Sequence, residues 1–186
     1  NKIKLKNKHD FIQYEPCVIR IYDLSYLKLS NDELIDVNVE YKGEIRNFII
    51  QYKELKKKYN LILTTLFKDD DYLLKTWINY YKKNGVDYFY LYINKPLTKN
   101  YNFKNTKIIE WNFHYWNKKE NYSKKKKKLK HHSQVPQINH SAYKYGKPLS
   151  KWIGNIDLDE ILYIENKKLS SILDNKHNMI IFRNYF

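Results

Sequence analysis

With 186 residues, 42% hydrophobic and 17% aromatic side chains, and only four Gly and four Pro, the chain is too rich in apolar material for a disordered polyelectrolyte. Its length suits one domain with a single core; no apolar run reaches the roughly 18 residues of a membrane span. The net charge of +15 is concentrated: Asn112 to Lys151 hold eleven Lys against one acid, Glu120, a local +10 that leaves +5 for the remaining 146 residues.

Lys, Asn, Ile and Tyr number 32, 21, 21 and 19, half the chain, while Ala142 is the single alanine, a bias expected of A/T-rich codons before any chemistry. Cys17 is alone, which rules out an internal disulfide and a cysteine-based zinc site. The opening NKIKLKNKHD lacks the apolar centre of a signal peptide, so a soluble domain is expected, its compartment left open. The apolar run closing on Phe186 is what a piece of a longer protein would show.

In chain order, CVIRIYD (17–23), LIDVNVEY (34–41) and EIRNFIIQY (44–52) have the β-branched and aromatic content of strands, separated by SND and KG turns. Residues 1–60 are read as a strand-rich lead-in and 61–186 as the main domain. NLILTTLF (60–67) is the short apolar run of a buried parallel strand. Asp69 to Asp71 offer N-cap oxygens to a helix whose Leu74, Trp77, Ile78 and Tyr81 share one face, with Gly85 as its stop. VDYFYLYIN (86–94) follows as a second strand ended by Lys95-Pro96, completing a β-α-β unit of parallel-crossover length. TKIIEW (106–111) reads as a third strand, and the cationic KKKKKLKHH (124–132) as part of a long loop. Ser133 is the expected cap of a second helix, with Pro136 in its first turn, Ile138, Ala142 and Tyr145 on one face, and Gly146 at its end. KWIGNI (151–156) is a fourth strand running into Asp157-Leu158-Asp159-Glu160, and a short helix near Lys168 to Leu173 precedes MIIFRNYF. Strands alternating with helices predict an α/β fold, a mostly parallel sheet flanked by helices, with ligands at the carboxyl ends of its strands.

Asp157 and Asp159 point the same way from an extended chain, and two carboxylates backed by a buried strand attract a hard cation such as Mg²⁺ or Mn²⁺. A turn or helix start needing no metal fits the same spacing. Asp69 to Asp71 form a second acidic group at another strand end, which fits a helix cap with favourable charge at the helix dipole better than a nucleotide contact. His114, His131, His132 and His140 fit solvated or packed side chains better than ligands, Glu110 is ambiguous, and Cys17 has no neighbouring base. Neither GxGxxG nor a P-loop is present, which disfavours Rossmann dehydrogenases and P-loop NTPases.

Two stretches together carry a family resemblance. LILTTLFKDDDYLLKTWINYYKKNGVDYFYLYIN resembles the opening of the GT-A-fold glycosyltransferases of family 92 and related family 2-like groups: an apolar strand, an Asn-Glu pair, a Leu and Trp helix, then a Gly-Val-Asp turn into an aromatic strand. HHSQVPQINHSAYKYGKPLSKWIGNIDLDEILYI resembles their second signature, a Gln, an Asn-His on a helix and a Trp strand ending in Asp-x-Asp-Glu. Leu61 to Ile164 are covered. The resemblance implies a GT-A-like domain, cut short after the half that carries the DxD motif, and transfer of a sugar from a nucleotide-sugar donor, UDP- or GDP-linked, to a glycan or protein acceptor with Mn²⁺ or Mg²⁺. Asp157 and Asp159 would be the DxD motif, Asp159 the direct ligand and Asp157 touching ribose or metal-bound water. Asp69 and Asp70 fall at the family's Asn-Glu pair, suggesting nucleoside contact, and Gln134 and Asn139 match polar helix positions beside the donor. Asn94 ends the second strand, preceded by Ile93 where the family often has Asp; Ile161 replaces a common Phe. A catalytic base is expected beyond Phe186. The rival functions are a nucleic-acid module built on Lys118 to Lys130, disfavoured because the run lacks Arg and lies in a loop; a structural or interaction protein on a silent scaffold; and a nucleotidyltransferase.

Overall fold

The computed structural model describes residues 2–5, 27–41, 43–97, 100–113, 133–174 and 176–182. The strand predicted over 17–23, Cys17, the segment predicted as a cationic loop, and His114, His131 and His132 lie outside them. The chain divides into two compact units, Asn1–Lys56 and Lys57–Phe186.

In the first unit β1 (Lys2–Leu5) pairs parallel with β2 (Leu34–Tyr41), and β2 pairs antiparallel with β3 (Glu44–Gln51). Both predicted strands of this hairpin form, and Gly43 at φ +82 takes the left-handed turn position that favours glycine. Its small core is Ile35 and Val37, with Leu27, Leu29, Val39 and Tyr52 packed against them. Every residue of β3 is exposed.

The second unit is an α/β domain. Its strands β4 (Tyr59–Phe67), β5 (Tyr88–Ile93), β6 (Thr106–Glu110) and β7 (Ser150–Asn155) form one all-parallel sheet in the order β6-β5-β4-β7. β4 is central, and Leu61 to Phe67 are buried without a break, as a strand covered on both faces requires. Helix α1 (Leu74–Lys83) joins β4 to β5, and α2 (Gln134–Ser141) precedes β7. The chain steps outward from β4 to β5 and β6, then returns to the other side of β4 as β7. The carboxyl ends of β4 and β7 therefore flank the point where strand order reverses, the usual ligand position in open α/β sheets.

Alternation divides β4 and β5 between two faces. Leu61, Leu63 and Phe67 of β4 and Phe89, Leu91 and Ile93 of β5 join the main core with Leu74, Trp77, Ile78 and Tyr81, the predicted face of α1. The turn after α1 closes on Gly85, at φ +89, where a Cβ would stand 2.1 Å from Ser170 Oγ; conformation and close approach both call for glycine. Two residues on, the Asp87 carboxylate accepts hydrogen bonds from the backbone N–H groups of Asn60 (2.8 Å) and Leu61 (3.0 Å), tying the turn to the start of β4.

The second helix departs from expectation. Its buried residues are Pro136, Gln137 and Ser141, and Ile138 is exposed. Ala142–Gly146 form a π-helical turn, after which the helix runs to Leu149. The wider turn breaks the 3.6-residue repeat, so Ile138, Ala142 and Tyr145 cannot share one face. Gly146 is not a stop: its φ is −63, and a Cβ there would stand 2.9 Å from Ile153 Cδ1, so glycine serves close helix–strand packing. Ser133 precedes the helix without a side-chain capping bond, its Oγ buried and unpartnered among the described residues.

Candidate functional site

At the carboxyl end of β7, burial alternates as Ile156 and Leu158 turn into the core, while Asp157 is half-buried and Asp159 and Glu160 are exposed. The four acidic-segment residues close a tight turn. The Glu160 N–H donates to Asp157 O (3.1 Å), and the Asp157 N–H donates to Glu160 Oε2 (3.3 Å), a reciprocal arrangement like a helix capping box. Glu160 is thus occupied in shaping the turn. The Asp157 carboxylate accepts from Gln134 Nε2 at 3.2 Å, so the first residue of α2 and the end of β7 converge as their sequence order alone could not require. Asp159 has no hydrogen bond or ion pair among the described residues.

The second acidic group follows β4, the neighbouring strand. Asp71 accepts from Lys95 Nζ (3.3 Å) and from the Tyr101 hydroxyl (3.2 Å), and Asp69 lies 3.6 Å from the same ammonium. Desolvation works against the Lys95 charge, but the hydrogen bond and negative charge of Asp71 outweigh it, and its pKa is raised. The expected side-chain caps do not form: Asp70 accepts the Leu73 N–H with its backbone carbonyl (2.9 Å), and a single 3-10 turn, Asp71–Leu73, leads into α1. The Asp70 side chain, exposed at this edge, makes no hydrogen bond among the described residues.

Of the amides, Asn94 is buried at the end of β5 and donates from Nδ2 to the carbonyls of Trp111 (2.6 Å) and Phe113 (2.8 Å), holding the exit of β6. Asn139 donates to Val135 O one turn back along α2 (2.9 Å). Gln134 therefore meets an acidic residue directly, and Asn94 and Asn139 hold backbone. His140 is a packed side chain. It sits among Tyr92, Trp111 and Tyr145, with the Tyr92 hydroxyl 2.8 Å from Nδ1. Burial, helped by the nearby Lys144 charge, lowers its pKa to about 4, so the ring is neutral at ordinary pH. Glu110 is exposed and accepts from Asn112 Nδ2.

One set of residues escaped sequence reasoning. Trp77 and Tyr81 read as apolar face, yet their polar tips reach the acidic turn: Trp77 Nε1 donates to Asp157 O (3.0 Å), and the Tyr81 hydroxyl donates to Glu160 O (3.2 Å) while accepting from the Leu162 N–H (2.9 Å). The Tyr80 hydroxyl donates to Leu162 O (2.9 Å). The available signal was the choice of Trp and Tyr over Leu, since buried aromatics with a polar handle usually find a partner.

No group of three or more His, Cys, Asp or Glu able to hold a metal occurs among the described residues. The turn offers two carboxylates, Asp157 and Asp159. That donor set suits a hard ion that completes its shell with phosphate and water oxygens, and it falls short of an all-protein cage.

Parallel strands, a reversal of strand order and acidic turns at the carboxyl edge define an α/β domain of the open-sheet class, in which ligands usually gather at that edge. Residues 62–184, two thirds of the chain, match glycosyltransferase family 92, and the chain belongs to that family. It is a glycosyltransferase, acting between a sugar donor and an acceptor. Neither the curated proteins nor the solved structures contain a match to it. No helix among the described residues is long and apolar enough to cross a membrane.

Proposed function

We propose that this glycosyltransferase takes a UDP- or GDP-linked sugar and uses a divalent ion, Mg²⁺ or Mn²⁺, at its acidic turn to transfer the sugar to a glycan or protein acceptor. The observation that carries this reading is the Asp157–Glu160 turn directly after β7, at the reversal of strand order, with Gln134 donating to Asp157.

Asp159, exposed and uncommitted, is the direct metal ligand in this reading. Asp157, with one oxygen engaged by Gln134, contacts the ribose or metal-bound water. When bound, the ion neutralises charge that grows on the diphosphate as the bond to the sugar breaks. Asp70 and Asp69, after the adjacent strand, face the nucleoside, and Asn139 and Asn94 belong to the donor side of the site in this reading, where each holds local backbone. The Lys95 ammonium, held by Asp71 and Asp69, prevents three consecutive acids from repelling an anionic donor unopposed.

Calorimetry with UDP and GDP, each with and without Mn²⁺, tests this reading. Metal-dependent binding is expected, and Asp159→Ala should abolish it while leaving the melting temperature unchanged. Absence of metal-dependent binding in the parent chain would overturn the proposal.

A further inference from the structure

The backbone of residues 157–162 lies in no strand or helix, so its polar groups must find partners elsewhere. Several find them on one helix. Trp77, Tyr80 and Tyr81 make four hydrogen bonds to Asp157 O, Glu160 O, Leu162 N–H and Leu162 O, at 2.9 to 3.2 Å. The aromatic bodies are anchored in the core, with Trp77 1% and Tyr81 0% exposed, and the rings of Trp77 and Tyr81 meet edge to face 4.9 Å apart. The tips are therefore rigid, while Asp159 has no bond of its own among the described residues to hold its carboxylate.

We propose that Trp77 and Tyr81 are positioning residues that set the Asp157 and Asp159 carboxylates for the metal and nucleotide, acting through the backbone they hold. The Tyr81 hydroxyl bridges Glu160 and Leu162, on either side of Ile161, and Trp77 grips the first carbonyl of the turn. The turn is thus clamped at both ends by side chains four residues, one helical turn, apart on one face of α1. This inference rests on the metal-dependent donor reading above.

The test uses the full chain with Tyr81→Phe and Trp77→Phe, which keep an aromatic ring in the core, and Tyr92→Phe, which removes a hydroxyl from the opposite face of the sheet. With UDP and Mn²⁺ in calorimetry, the first two variants should bind roughly tenfold more weakly, and Tyr92→Phe should match the parent. Amide exchange should accelerate at residues 157–162 in Tyr81→Phe, with α1 and β4 unchanged. Unaltered affinity in Tyr81→Phe, or faster exchange spread evenly over the sheet, would overturn the inference. If the parent chain binds neither UDP nor GDP with Mn²⁺, the donor reading falls, and the exchange measurement alone decides: acceleration confined to 157–162 upholds the clamp, and unchanged exchange there overturns it.

Discussion

On one face of the parallel sheet, Leu61, Leu63 and Phe67 meet Trp77, Ile78 and Tyr81 in a continuous apolar core whose polar tips all end on the acidic turn. On the other face, Thr64 of the same strand accepts a hydrogen bond from Gln137 Nε2 (2.8 Å), Tyr90 stacks on Tyr145 with centroids 3.9 Å apart, and His140 packs neutral beside Tyr92. The first face supplies burial and the second supplies geometry. Gln137 is wholly buried, yet its Oε1 has no partner among the described residues, and on the apolar side of β4 neither has Thr65 Oγ1. An unsatisfied buried polar atom costs about 1–3 kcal/mol, so each face carries such an expense, but only the second face buries a whole amide side chain to do so.

The largest contrast is expected between core residues of the two faces. Trp77→Ala should destabilise by about 3–5 kcal/mol in denaturant unfolding, through lost contacts and a cavity. Gln137→Leu should stay within about 1 kcal/mol of the parent, since it removes the orphan carbonyl as it leaves Thr64 unpaired. Equal costs would erase the distinction between the faces.

A second contrast uses the glycines. Gly85→Ala combines a left-handed backbone with a Cβ only 2.1 Å from Ser170 Oγ and should cost more than about 1 kcal/mol. Gly146→Ala meets Ile153 at 2.9 Å (Cδ1), 3.0 Å (Cγ2) and 3.1 Å (Cβ), but under ordinary helical φ and with no contact as short as 2.1 Å, and should cost less. Thermal unfolding of the pair ranks them.

His140 sharpens the contrast through pH. Its folded pKa of about 4 lies below the ordinary value of 6.5, so in this range the unfolded chain binds the proton first. The stabilisation is complete above pH 6.5 and is lost as pH falls toward 4. Melting temperature should decline between pH 6.5 and 5 in the parent chain, and His140→Gln should flatten that slope. The smallest effect on stability belongs to Asp159→Ala, an exposed position, expected within about 0.5 kcal/mol of the parent by the same measurement.

The apolar face was legible because α1 keeps the 3.6-residue repeat from Leu74 to Tyr81 and β4 places Leu61, Leu63 and Phe67 on one side of a β-branched and apolar run. The α2 face was not, because the π-helical turn at 142–146 interrupts the repeat and because Gln137 and Ser141 turn inward on a pattern that marks them as surface. For the candidate site, the two acidic groups and their place after strands were visible in the order of residues. The Gln134 bond to Asp157, the local use of Glu160, the pairing of Asp69 and Asp71 with Lys95, and the backbone duties of Asn94 and Asn139 were not, since each depends on segments separated in the chain or on a side chain choosing backbone over ligand.

By itself the sequence determined the alternation of strands and helices, the acidic turns and the family, because periodicity and local spacing are properties of neighbours along the chain. Only the tertiary structure decided that α1 holds the acidic turn from 80 residues away. A hydrogen bond between a core indole and a distant carbonyl has no local signature; it exists once the sheet has brought the end of β7 beside the helix that follows β4.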